Sequence, residues 1–145
     1  MTHLIFYEKP DCGGNARQRA LLEAAGHTLT RRSLVGMRWS REELLAFLQG
    51  LPVAQWFNRA APRVKNGDIV PEAIDSLTAI DMLLAEPLLI RRPLMQREDG
   101  ARLVGFDIAE VDRFVGLGSQ APARISLEGC AAAMRGCRAA ESGSN

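Results

Sequence analysis

The sequence predicts an α/β domain in which a small mixed sheet carries helices on its faces. Three observations predict it. The chain opens with an apolar β-rich run, a run of helix formers and a second β-rich run, over residues 3–34. A helix-rich stretch follows, from Ser40 to Ala85. Two more β-rich runs and a short helical run then close the pattern before residue 118.

Each element has a local reason. "HLIFYE" (His3–Glu8) is a first strand, ended by Pro10. Asn15 to Ala25 reads as a helix with Ala16, Ala20, Leu21 and Ala24 on one face, stopped by Gly26. "HTLTRRSL" (27–34) is a second strand, parallel to the first through a right-handed crossover. "SREE" (40–43) is a capping box that starts a helix carrying Leu44, Leu45, Phe47 and Leu48. Pro52 suits the first position of a further helix over 52–60, and 61–71 reads as a loop with an Asn-Gly turn. A longer helix is expected from Glu72 to Ala85, with Ile74, Leu77, Asp81 and Leu84 as its stripe. "LLIRRPLMQ" (88–96) and "ARLVGF" (101–106) read as an antiparallel hairpin around "REDG". Asp107 caps a last helix to Val115, which Gly116 and Gly118 close. This order is the thioredoxin-like plan, with a helical insertion between an N-terminal β-α-β and a C-terminal β-β-α. Residues 1–118 form that domain; residues 119–145 read as a linker and an Ala-rich, partly helical tail.

Composition narrows the function. The 145 residues are 47% hydrophobic and 24% charged, with a formal charge of +1. That balance gives no pull toward nucleic acid or membrane surfaces, and no apolar run reaches the length of a membrane span. "MTHLIFYEKP" lacks the plan of a signal peptide, so the expected location is cytoplasmic. Three cysteines, Cys12, Cys130 and Cys137, form neither a disulfide framework nor a metal-like spacing, and no metal or bound cofactor is expected. His3 and His27 flank strands and read as strand-end polar residues. On one helix Cys130 and Cys137 would lie roughly 10 Å apart along the axis, too far to pair. They read either as a docked stripe with Leu127 and Met134, or as a source of one thiol that resolves an oxidised Cys12.

Cys12 carries the chemistry. It stands at the start of a helix, where unpaired N–H groups and the helix dipole favour a thiolate. Gly13 and Gly14 let backbone amides turn toward the sulfur, and Arg17 and Arg19 add positive charge, while Glu8 and Asp11 oppose it. In "LIRRPLM", Arg91 and Arg92 alternate along the chain, so one should face the helix start. The planar fork of an arginine there would match an oxyanion. Pro93 follows an X-Pro bond that can be cis.

"FYEKPDCGGNARQRALLEAAG" together with "PLLIRRPLM" resembles the arsenate reductase (ArsC) family of thioredoxin-fold proteins, over about residues 3–117. "WFNRAAPRVKNGDIVPEA" and the "PLLIRRPLM…VGFD" layout are most similar to its nitrogenase-associated branch, whose members are encoded alongside nitrogen-fixation genes. The resemblance implies that Cys12 is the nucleophile, with glutathione and glutaredoxin completing the reduction. It implies that Arg92 binds the oxyanion and that Pro93 is a cis-proline facing the thiol. Arg59 lies within a residue of a second family arginine, and Arg17 and Asn15 join Gly13 and Gly14 around the thiolate. The chain departs from the pattern at Gly105, where a third arginine falls, and at Glu8, where family enzymes carry histidine. It also has Ala16 in place of an arginine, and Asn15 where related regulators have a second cysteine. A carboxylate at Glu8 would disfavour a thiolate.

Two functions from different classes follow. One is a single-cysteine thiol reductase or exchange protein that uses glutathione as co-substrate. The other is a non-catalytic binding or regulatory module that serves a nitrogenase-system protein. A redox sensor whose Cys12 is resolved by a tail cysteine is a third reading.

Overall fold

The computed structural model describes residues 1–9 and 12–118; Pro10, Asp11 and residues 119–145, with Cys130 and Cys137, lie outside the described residues. The elements are β1 (His3–Glu8), α1 (Gly13–Ala24), β2 (Thr28–Ser33), α2 (Arg41–Leu48), α3 (Pro62–Lys65), α4 (Ser76–Ala85), β3 (Leu94–Arg97), β4 (Arg102–Val104) and α5 (Ile108–Val115). The sheet order is β2-β1-β3-β4. β1 and β2 are parallel, whereas β3 is antiparallel to both β1 and β4. This is the α/β, thioredoxin-like arrangement, with the insertion between its halves.

Alternation along β1 divides the core. Leu4 and Phe6 pack with Leu22, Met95, Phe106, Ile108 and Val111 on one face. Tyr7 packs with Leu44, Phe47, Leu83, Leu94 and Val104 on the other, with Ile5 against it. Fully burying side chains of this size contributes about 1.5–3 kcal/mol each. The central strand is therefore fixed from both sides, and with it the turn that leads from Glu8 into α1.

The helix faces differ from the sequence expectation. In α1 the buried residues are Gly14, Asn15, Gln18 and Leu22, while Ala16, Ala20 and Ala24 are exposed. Two amides can turn inward because they satisfy each other: Asn15 Nδ2 donates to Gln18 Oε1 at 2.7 Å. In α4 the buried face is Ala79, Ile80 and Leu83, not the expected stripe. Leu77 is 72% exposed, and Asp81 accepts from Arg41 on the solvent side.

The insertion also differs. Residues 52–60 form only a 3₁₀ turn at Val53–Gln55, because the chain beyond it pairs with a distant segment. Asn58 N–H donates to the Leu89 carbonyl and Arg91 N–H to the Trp56 carbonyl, around a Phe57–Ile90 bridge. The same pairing accounts for the β-like look of 88–91, which lies outside the sheet; Pro87–Leu89 is a 3₁₀ turn and β3 begins only at Leu94. The expected loop 61–71 contains α3, with Pro62 at its start. The helix expected from Glu72 starts instead at Ser76, where the Asp75 side chain accepts from Thr78 N–H. The capping box at Ser40 and Glu43, the Asp107 cap of α5 and the positive φ of Gly26 (96°) are as the sequence indicates.

The β3–β4 turn is tied to α5. The Arg97 guanidinium grips the Asp99 carboxylate, donates to the Phe114 carbonyl at 2.6 Å, and lies 5.0 Å from the Phe114 ring centre. The Arg97 hydrogen bonds, with help from Ala101 N–H, hold the Asp99 carboxyl down at about 2. A depressed carboxyl stabilises the fold above its unfolded value of about 3.9, and that contribution is lost as pH falls toward 2. Asp99→Asn should therefore flatten the decline in thermal midpoint between pH 4 and pH 2, read by circular dichroism. An unchanged acid limb in the variant would contradict this.

Candidate thiol site at the start of the first helix

Burial of β1 delivers the chain to one end of the sheet, where it turns into α1. Cys12 is the N-cap of α1, with extended backbone (φ −86°, ψ 119°), and its carbonyl accepts from Ala16 N–H at 3.1 Å. Its own N–H donates to the Lys9 carbonyl at 3.3 Å. Asn15 closes the same turn from the helix side, its Oδ1 accepting from Lys9 N–H at 3.0 Å. An N-cap side chain lies where the N–H groups of the second and third helical residues point. Here those residues are Gly14 and Asn15, so the position favours an anion at Cys12. Cys12 is 4% exposed, a closed environment rather than the exposed thiol that exchange with glutathione favours.

Gly13 and Gly14 are the first two helical residues, not a turn before the helix. Asn15 is buried, and its amide is engaged with Lys9 and Gln18. The amide thus shapes the turn that carries Cys12. Arg17 lies on the exposed side of α1.

The second strand of the site is β3. Its register sets Leu94 opposite Tyr7, so Arg92 and Pro93 come next, level with Glu8 and Lys9 where the chain turns toward Cys12. The Arg92–Pro93 peptide is cis, and Arg92 is buried at 6% exposure. A buried guanidinium at the end of the sheet that carries the thiol is a fixed positive charge for an anion.

Two other residues behave differently from the sequence reading. Glu8 does not confront Cys12 as an isolated negative charge. It is 4% exposed, and its two oxygens accept from Arg19 Nε and Arg31 Nε, each at 2.8 Å. Arg19 therefore turns inward to Glu8, and the triad carries a net positive charge. Arg59 is committed within the insertion: it pairs with Glu72, whose carboxyl it holds below the usual range, and donates to the Ala54 carbonyl at 3.2 Å. The structure thus brings Cys12, Arg92 and Pro93 to one end of the sheet, while Arg59 is engaged with Glu72 and the Ala54 carbonyl.

The histidines are structural. His3 bridges Thr28 and Thr30, while His27 accepts from Thr2 N–H and reaches the Gly116 carbonyl. Among the described residues no group of three or more His, Cys, Asp or Glu side chains is arranged to hold a metal ion. An open cleft of about 490 Å³ runs along β2, lined by Ile5, Tyr7, Arg31, Arg32, Ser33, Gly36 and Met37. It includes neither Cys12 nor Arg92.

Comparison with known proteins adds three findings. The sequence profile of the ArsC family matches residues 7–114. The chain is 42% identical over 125 residues to an uncharacterized 15.7 kDa protein in the draG 3′ region of Rhodospirillum rubrum, covering 86% of this chain and 87% of that one. Among solved structures, an ArsC family related protein from Bacteroides fragilis superposes with a TM-score of 0.65 at 27% identity, over 76% of this chain and 95% of that one. An arsenate reductase from Vibrio cholerae shares the fold, with a TM-score of 0.60 at 22% identity over 72% and 90% of the two chains.

Proposed function

Since the chain belongs to the ArsC family, we propose that it is a single-cysteine thiol reductase or exchange protein in which Cys12 is the nucleophile and glutathione or glutaredoxin supplies the second thiol. The observation that supports this reading most is the position of Cys12 as N-cap of α1, at the sheet end that also carries the buried Arg92 and the cis peptide to Pro93.

The steps balance without a cofactor. The Cys12 thiolate attacks the glutathione sulfur of a glutathione mixed disulfide, forming a new S–S bond to Cys12 as the other sulfur leaves as a thiolate and takes a proton from solvent. A second glutathione, as thiolate, attacks the resulting mixed disulfide, releases Cys12 and departs as oxidised glutathione. Arg92 and the helix start hold negative charge at the site in both steps. No second cysteine is needed within the motif, which agrees with Asn15 facing inward at the place where a dithiol motif has its partner.

A small oxyanion such as arsenate is the rival substrate. The nitrogenase-associated branch belongs to the same proposal, supported by the relative named for its place in the draG 3′ region. A pool of reduced glutathione fits a cytoplasmic protein. Among the described residues, no helix is long and apolar enough to cross a membrane.

One observation favours the alternative of a binding or regulatory module: Cys12 is nearly covered. Turnover separates the two. Reduction of a glutathione mixed disulfide by the full-length protein, with glutathione, glutathione reductase and NADPH, should exceed that of a Cys12→Ser variant; arsenate with glutaredoxin forms a parallel arm. Wild-type rates equal to the variant's in both arms would leave the binding module as the better reading. Within the active protein, Arg92→Met should lower kcat/KM by about 10- to 100-fold. That is the loss of one charge-assisted contact worth about 1.5–3 kcal/mol. An unchanged kcat/KM would remove Arg92 from the site.

A further inference from the structure

β2 stands at the edge of the sheet, and among the described residues no strand pairs with its outer side. Its phase is set by two bonds: Thr28 N–H donates to the Thr2 carbonyl and Leu34 N–H to the Glu8 carbonyl. Alternate residues between them face β1, so the backbone N–H and C=O groups of Leu29, Arg31 and Ser33 face outward. The cleft of about 490 Å³ lies along this strand, with Ile5, Tyr7 and Met37 supplying apolar surface. No carboxylate lines it, whereas Arg31 and Arg32 both do. Between Glu23 and Glu42 the chain carries Arg31, Arg32, Arg38 and Arg41 and no acidic residue, in a protein whose formal charge is only +1. Glu8 engages Arg31 through Nε, and Asp81 engages Arg41. Among the described residues Arg32 and Arg38 make no ion pair, and both are exposed.

We infer that the outer edge of β2, with the cleft beside it, docks an acidic extended segment of a partner protein by strand addition. The outward groups of Leu29, Arg31 and Ser33 supply the backbone pairing, and the cleft supplies a place for an apolar side chain. Arg32 is level with Tyr7 and Arg31 with Phe6, so the two arginines lie on opposite faces of the sheet. Acidic side chains on an added strand therefore meet an arginine on either face. Charges that only guarded the edge against aggregation would need no cleft beside them. Charge also separates the candidate occupants. A second copy would bring its own Arg31 and Arg32 to the same edge, which like charges oppose. Residues 119–145 carry Arg124, Arg135 and Arg138 against Glu128 and Glu141, so they do not complement the edge. The inference does not rest on the thiol chemistry, because the cleft does not include Cys12.

The test uses the full-length protein and a fluorescent octapeptide that alternates glutamate and valine. Anisotropy should give a Kd below about 1 mM, and a lysine–valine peptide should not bind at the same concentrations. Methylating the backbone nitrogens of alternate peptide residues should weaken binding by at least about tenfold, because it removes donors while leaving charge unchanged. Arg32→Gln should weaken it about two- to fivefold, the size of one exposed ion pair. Amide exchange followed by NMR should slow at Leu29, Arg31 and Ser33 when the peptide is added. Cys12→Ser should bind as the wild type does, so loss of turnover and loss of docking are separate results. Absence of binding, a methylated peptide that binds as well as its parent, or a folded Arg32→Gln variant with unchanged affinity overturns the inference. Slow exchange at these three amides before peptide is added also overturns it. Such protection would assign the edge to the protein's own tail if independent of protein concentration, and to a second copy if it rose with concentration.

Discussion

Cys12→Ser should reduce thiol-exchange turnover to the level without protein, while leaving thermal stability equal to or above that of the wild type. The two halves of this expectation come from the same geometry. A serine hydroxyl is far too weak an acid to supply the attacking anion, whereas a cysteine at a helix start is poised to do so. As an N-cap, however, serine is among the preferred residues, because its oxygen accepts from the N–H groups of the first turn. The substitution therefore separates chemistry from folding. Kinetics with a glutathione mixed disulfide and a thermal melt of the same preparation check it. Retained turnover, with a folded protein, would show that the sulfur of Cys12 carries none of the reaction.

Glu8→Ala should be the most destabilising change around the site, costing about 1–3 kcal/mol. Removing one partner from a fully buried ion pair typically costs about 3–5 kcal/mol. The lower figure applies here because the Arg19 side chain is 20% exposed and that of Arg31 54%, so both can recover water. The methylenes of Glu8 are lost from a site that is 4% exposed, which works in the same direction. Denaturant unfolding of the variant measures the loss. A stability change within about 0.5 kcal/mol would show that the triad does not hold β1, α1 and β2 together. The variant also frees one net positive charge near the Cys12 turn, so thiolate formation should become easier even as the fold weakens.

The legible parts of the fold were those with local causes. β1 alternates cleanly between its two faces, Ser40 and Asp107 cap α2 and α5 with their own side chains, and Gly26 takes the positive φ that ends the first helical segment. The insertion was less legible because its causes are distant in sequence. Residues 56–58 are held by 89–91, so a segment with a proline-led helical look became a turn and a bridge. The buried face of α1 departs from the apolar pattern because Asn15 and Gln18 are buried through a bond to each other, which composition alone does not show.

The site divides in the same way. Cys12 at a helix start follows from the glycines and the helix formers after it, and Arg92–Pro93 stands out as an X-Pro bond after paired arginines, although the expected strand 88–96 enclosed it and β3 begins only at Leu94. The pairing of Glu8 with Arg31 spans 23 residues across the sheet, and the seating of Arg91 over Gly105 joins two loops. A clue to the latter lies in the sequence: two adjacent arginines before the proline, and a glycine soon after the following strand run.

The most direct measurement is the pH dependence of Cys12 alkylation by iodoacetamide in the full-length protein, with Cys12 followed by peptide mass spectrometry. A helix-capping thiol at the sheet end that carries Arg92 should titrate with a midpoint well below 8. A midpoint at or above that of free cysteine, about 8.5, would contradict the assignment of Cys12 as a nucleophile.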